Sequence, residues 1–253
     1  MNNSVTDIIS QIEAVNQQTG VDVYVPSLKR YVKFRPLNLK QQKDLLKSSV
    51  EETLTRLSFI TSFYTIIQEN ILETIDINSL YVFDRIAIAI ALRSTSLDSS
   101  YTINDITVNL QDKLSEIPLI VIDNEKITNI ATVDGISVTL EVPRLGVDKD
   151  VCNSILNKIR TSQKEDVRTL IGDLFINEII KYVKTITVGS GETESTTVLS
   201  NLKIENRLSI VEKFPTTLTK QILDFIKTYR SFEEGFTKTG DLNLEIDGSF
   251  FAI

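Results

Sequence analysis

A chain of 253 residues with 42% hydrophobic content is long enough for one large domain or two small ones and can bury a substantial core. Twenty-seven basic residues against thirty-four acidic ones give a net charge of −7, so general attraction to nucleic acid or anionic lipid is disfavoured. With no histidine and one cysteine, Cys152, the sequence excludes Ser-His-Asp and Cys-His catalysis, a cysteine-rich metal site and an intrachain disulfide. The longest apolar run, Ile86 to Leu92, falls short of the roughly 18 residues that a membrane span requires. Nothing resembles a secretory signal or transit peptide, and folding in a reducing cytoplasm is the expectation.

In chain order, Val5, Ile8, Ile9, Ile12 and Val15 lie three or four apart and predict an amphipathic helix over Ser4–Gln18, ended by Gly20. Val21, Val23 and Val25, then Val32 and Phe34, alternate with polar or half-polar neighbours and predict a hairpin with its turn at Pro26–Arg30. Pro36 stops the second strand at Arg35. Asn38 and Gln41 are spaced as a capping box. The long helix that follows carries a core stripe of Leu39, Leu46, Val50, Leu54, Leu57, Ile60, Tyr64, Ile67 and Ile71. A second helix, capped by Asn78 and running to Arg93, is apolar all round and is therefore expected to be central.

Between Ser99 and Pro143 the pattern changes to short β-type runs, YTI, ITVNL, PLIVI and ISVTLEV, which predict a small antiparallel sheet. Helical spacing returns at Val151–Ile159 and at Asp166–Val183, where Leu170, Leu174, Ile176, Ile179, Ile180 and Val183 form one face. The polar run Gly189–Ser200 reads as a mobile loop. Helices over Lys203–Lys213 and Pro215–Phe232 follow, the latter turning Leu218, Ile222, Phe225, Ile226 and Tyr229 inward. In the tail Leu242, Leu244 and Ile246 alternate as in a strand, and Phe250, Phe251 and Ile253 must dock on the chain's own core or on a neighbour. The fold class is thus α+β: an N-terminal β-hairpin on a mainly helical body with a small sheet inserted in the middle third. Three stretches, 1–98, 99–145 and 146–253, are expected to make one compact unit.

The run VPSLKRYVKFRPLNLKQQKDLLKS resembles the N-terminal signature of the baseplate hub assembly proteins of T-even-type contractile-tailed bacteriophages. ALRSTSLDSSY, Ala91 to Tyr101, is similar to that family's join between a buried helix and a strand, and the closing DGSFFAI to its double-Phe ending. The chain departs from those members that carry paired cysteines near the C-terminus. The resemblance implies a protein that acts through contacts with other baseplate hub proteins, or by self-association, in the host cytoplasm during assembly or in the finished tail.

No chemistry-bearing motif competes with that implication. Gly189-Ser190-Gly191 lacks the Gly-Lys-Ser/Thr of a phosphate loop, no GxGxxG occurs, and no D-x-D-x-D-G calcium loop appears, so no cofactor or metal is expected. Asp148 and Asp150 read as a solvated turn or helix cap, and Cys152 as a small buried hydrophobe rather than a reactive thiol. The expectation is a protein that is not an enzyme. The alternative is a carboxylate-dependent hydrolase of cell-wall glycan carried on a phage tail.

For partner contact, two features stand out. From Lys29 to Lys47 seven basic residues (Lys29, Arg30, Lys33, Arg35, Lys40, Lys43, Lys47) face only Asp44, a local +6 that leaves −13 for the rest of the chain. This is either a solvated face or a surface for an acidic partner. The apolar ending, Phe250, Phe251 and Ile253, is the second candidate.

Overall fold

The computed structural model describes residues 5–18, 20–48, 55–161, 167–189 and 194–252. Its elements, in order, are α1 (Val5–Gln18), β1 (Val21–Val25), β2 (Arg30–Phe34), α2 (Leu39–Ser48), α3 (Thr55–Asn70), α4 (Val82–Ser96), β3 (Ser100–Ile103), β4 (Ile106–Asn109), α5 (Leu110–Glu116) and α6 (Asn124–Ile127). There follow β5 (Thr128–Val133), β6 (Ile136–Glu141), α7 (Leu145–Thr161), α8 (Val167–Tyr182), β7 (Val183–Val188), β8 (Ser195–Val198), α9 (Ile204–Val211), α10 (Thr216–Thr237), β9 (Lys238–Thr239) and β10 (Leu242–Asn243). The class is α+β, with the expected N-terminal hairpin. The chain divides into two compact units: Met1–Ile77 with Phe83–Ile120 and Phe236–Ile253, and Asn78–Val82 with Val121–Gly235.

In the first unit the β1–β2 hairpin turns through a single 3₁₀ turn at Pro26–Leu28, with Lys29 left-handed at φ 52°. The amide of Ser27 donates to the buried carboxylate of Asp84 at 2.8 Å, which seats the turn against the first turn of α4. Val23, Val25, Val32 and Phe34 fill the inner face, while Tyr24 and Tyr31 meet edge-on outside, their centroids 5.4 Å apart. The free edge of β2 is covered by the segment after α3: Phe34 bridges Ile71, and the Leu72 amide donates to the Lys33 carbonyl. The capping box is realised, with Gln41 N–H donating to Asn38 Oδ1 at 2.9 Å and Asn38 N–H to Gln41 Oε1 at 3.2 Å.

The phase of α2 differs from the apolar stripe. Leu39 is 80% exposed, and Gln41, Gln42, Leu45 and Ser48 face inward instead. Two amide side chains hold core positions because their hydrogen bonds are met: Gln41 with Asn70 and Glu69, and Gln42 by donating to the Phe251 carbonyl. Val50 and Leu54 of the predicted stripe lie outside the described residues. In α3 the stripe holds, with Ile60, Tyr64 and Ile67 buried.

Helix α4 is the buried centre foreseen from its IAIAIA run, and every side chain from Ile86 to Leu92 is buried. It begins later than predicted, however. Asn78 does not cap it but lies in a 3₁₀ turn, Ile77–Ser79. Of the predicted strands, YTI and ITVNL pair as β3–β4. PLIVI does not form one: Pro118 opens a 3₁₀ turn over Ile117–Leu119, and Leu119 and Val121 are exposed. Nor does the alternating tail make a long strand; β9 and β10 pair over two residues each, and Ser249–Phe251 is a 3₁₀ turn. Lys113 of α5, buried, anchors this region by donating to the Lys238 carbonyl at 2.7 Å and pairing with Glu116.

In the second unit β5, β6, β7 and β8 form one antiparallel sheet in that order. Only β6 is fully legible as an alternating run. The mobile-loop expectation for Gly189–Ser200 is corrected where it falls on described residues. Ser195–Val198 pairs with β7, Thr187 and Thr196 share a cross-strand hydroxyl contact at 2.9 Å, and Leu199 is buried. Arg207 of α9 then donates to the Ser200 and Leu202 carbonyls. Residues 190–193 lie outside the described set. Of the inward face expected for α8, Ile179 and Ile180 are buried, Ile176 is half-buried and Leu174 is exposed, while the Leu170 side chain lies outside the described set; the helix ends at Tyr182, and Val183, also buried, begins β7. All five inward residues foreseen for α10 are buried.

Residues Asn78–Val82 pair with the segment entering α7: Leu145 N–H donates to the Leu80 carbonyl and Val82 N–H to the Pro143 carbonyl. Gly146 is required by that approach, because a Cβ there would sit 2.8 Å from Asn78 Oδ1 and 2.9 Å from its Cβ. Beside it Glu141 accepts from Tyr81, Arg144 and Lys184. Burial alone would raise the Glu141 pKa, but these three donors outweigh it and hold the carboxyl below its usual range. A depressed folded pKa gives stability that is fully present above the unfolded value, about 4.3, and lost as pH falls through the folded one. Glu141→Gln should therefore lower the urea midpoint at pH 7 and flatten its decline as pH falls below the unfolded value of about 4.3. An unchanged acid limb would show that this carboxylate does not set it.

Candidate functional site

Hairpin and helix α2 place the basic residues in two groups. On the outer face of β2, Lys33 stands across from Asp22 in the strand register, while Lys29 occupies the left-handed turn position. On α2, Lys40, Lys43 and Lys47 fall at spacings of three and four, one exposed stripe opposite the buried Gln42–Leu45 side.

The seven cations are not equivalent. Arg30 pairs with Glu73 at 2.7 Å, and Glu73 also accepts from the Lys33 amide at 3.0 Å. The Arg30 hydrogen bond is the main reason the Glu73 carboxyl titrates below its ordinary range, with Lys33 adding its field. Lys47 pairs with Asp44 at 3.1 Å. Arg35 is half-buried, its Nε enclosed and without a hydrogen-bond partner among the described residues. Lys29, Lys40 and Lys43 are exposed, and none has an ion-pair partner among the described residues. The +6 read from sequence thus reduces to a smaller set without an ion pair among the described residues: Lys29, Lys40 and Lys43, exposed, with half-buried Arg35 and with Lys33 beside Glu73.

One of these lysines works against its own helix. Lys40 lies in the first turn of α2, which has no acidic residue there, although the N-terminus of a helix carries partial positive charge; Lys43 lies one turn further in. A cation in the first turn costs roughly 0.3–1 kcal/mol at an exposed site.

The apolar ending is placed elsewhere. Phe250 and Phe251 are both 0% exposed. Phe251 packs on Phe59 and Phe63, with centroids 6.2 and 5.6 Å away, and Phe250 meets the Tyr101 ring edge-on at 4.8 Å. Arg93, itself buried, lies over both Tyr101 and Phe250 and donates to the Ala252 carbonyl at 2.8 Å. The two rings therefore belong to the chain's own core and offer no exposed anchor to a neighbour. Ile253 lies outside the described residues.

The remaining titratable candidates are structural as well. Asp148 is not a solvated cap: it is buried in the first turn of α7 and pairs with Lys181 at 2.9 Å, while Asp150 is exposed. Cys152 is fully buried, as expected of a small hydrophobe, with Sγ 3.9 Å from Asp148 Oδ1. Among the described residues no group of three or more His, Cys, Asp or Glu side chains is arranged to hold a metal ion. No helix among them is long and apolar enough to cross a membrane.

The sequence model of the family described as T4 bacteriophage base plate protein matches residues 18–233. The chain belongs to that family, which makes it a baseplate protein of T4-type bacteriophages and implies contact with other baseplate components. Comparison with curated proteins and with solved structures returned no match.

Proposed function

We propose that this baseplate protein is a non-enzymatic factor that takes part in building the central hub of a contractile tail, acting through protein–protein contacts in the host cytoplasm. The lysine surface of the hairpin and α2 is its steering face for an acidic hub component. The observation that carries this reading is the pair Lys40 and Lys43, exposed on one stripe of α2 and without ion-pair partners among the described residues, in a chain of net charge −7. Exposed like charges held on one face, with Lys40 at the positive start of its own helix, are accounted for by attraction to an acidic surface.

The test is the triple reversal Lys29→Glu, Lys40→Glu, Lys43→Glu. Acidic residues suit the start of α2 better than lysines do, so the melting temperature should stay level or rise slightly. Association with hub intermediates at low salt should slow by about tenfold or more, and the difference should shrink as salt is raised. Equal association rates for both proteins at low salt would refute the steering role. Mass spectrometry of hub intermediates and of purified virions separates a transient factor, present only in the former, from a retained subunit, and absence from both would refute the hub reading.

A further inference from the structure

Helix α1 is amphipathic, yet its apolar face lies open. Val5, Ile8, Ile9 and Ile12 are between 47% and 74% exposed, and Val15 is 62% exposed. A helix of 14 residues is marginal in water on its own, and most helical stability in proteins comes from packing an apolar face against something else. The spacing says what kind of surface fits. Val5 and Ile12 fall at one heptad position, and Ile8 and Val15 at the other, so two heptads carry β-branched residues at both seam positions.

The flanking positions narrow the partner further. They fall on Ile9, Gln11, Asn16 and Gln18, none of which is charged, so identical helices can meet along this seam with no like charges brought together. A different protein chosen by flanking charge would find no charge here to read. α1 contains Asp7 and Glu13 but no lysine or arginine, which disfavours an anionic membrane surface as well. β-branched residues at both seam positions favour three strands over two.

We infer that α1 is a self-association element, and that three copies of this chain join through a short parallel bundle of their α1 helices. With only two heptads per strand the assembly is concentration-dependent. This inference concerns the chain alone and does not depend on the hub reading.

The experiment is sedimentation equilibrium of the full chain from about 1 to 200 μM, for the native sequence, for Ile8→Asp with Ile12→Asp, and for Ser10→Asp. Ser10 falls at a heptad position away from the seam and is exposed, and the seam residues are exposed as well, so none of the three changes disturbs a buried side chain. The expected result is a monomer–trimer equilibrium for the native chain and for Ser10→Asp, and a monomer throughout for the double variant, with the same thermal midpoint at low concentration. A native chain that stays monomeric at 200 μM, an α1-dependent dimer, or a trimer that survives the double substitution would each overturn it.

Discussion

Phe251→Ala is expected to destabilise the first unit by about 3–5 kcal/mol, the range for emptying a fully buried aromatic site. The ring is wholly buried and packs on Phe59, Phe63 and Phe250, and the residue's own carbonyl accepts from Gln42. Domains have only about 5–15 kcal/mol of net stability, so the substitution should remove a large share of it. Urea unfolding followed by circular dichroism reads the effect. Phe175→Ala, at a site half exposed on α8, should shift the midpoint far less. A Phe251→Ala protein with a native midpoint but impaired partner binding would restore the tail to the role of an intermolecular anchor.

The second large effect is expected at the ion pair under α7 and α8. Lys181 is nearly enclosed and contacts Asp148 at 2.9 Å and Glu178 at 3.2 Å, and Arg230 approaches the other oxygen of Glu178 at 3.5 Å. Burial on its own would lower the Lys181 pKa, but the two carboxylates outweigh it and hold the ammonium well above its ordinary range. The sign follows from that direction. A raised folded pKa gives stability that is complete below the unfolded value of about 10.4 and is lost only as pH rises through the folded one, so this pair contributes a constant amount across neutral pH. Asp148→Ala should cost about 3 kcal/mol, at the low end of what breaking a buried pair costs, because Glu178 remains. Asp148→Ala with Lys181→Met should recover part of the loss, since no buried charge is then left without its closest partner. If the double variant is no more stable than Asp148→Ala alone, burial of the ammonium is not the source of the penalty.

Much of the fold was legible wherever one kind of signal acted alone. The alternation of Val21–Phe34, the Asn38–Gln41 box, the all-apolar run inside α4 and the inward face of α10 each translated directly into structure. Legibility failed where hydrogen bonding outranked hydropathy. Gln41 and Gln42 hold core positions that an apolar stripe would assign to Leu39, because Asn70, Glu69 and the Phe251 carbonyl satisfy their amides. β8 was missed for a related reason: Ser195, Thr196, Thr197 and Val198 contribute no buried side chain and are held by the β7 backbone, a partner that local pattern cannot reveal. PLIVI erred in the other direction, apolar enough for a strand but paired with none among the described residues.

The candidate surface was legible as charge but not as availability. Glu73 lies 43 residues from Arg30 in sequence and takes it out of the free set, and nothing local in the sequence foretells that. The Phe tail was legible as apolar and destined to dock; which side of the surface it docks on depended on the distant Phe59, Phe63, Arg93 and Tyr101.

The first unit is discontinuous along the chain, and its last segment, Phe236–Ile253, supplies Phe236 stacked on Phe83 as well as the Phe250–Phe251 pair. A ribosome adds about 5–20 residues per second, so the N-terminal segments of this unit wait on the order of ten seconds, while the second unit is synthesised, before the rings that close their core exist. During that interval the inner faces of α3 and α4 are open to chaperones or to other nascent chains. A polypeptide released early would expose those faces and be recognisable as defective, so only full translation through this segment yields a subunit with a finished interior.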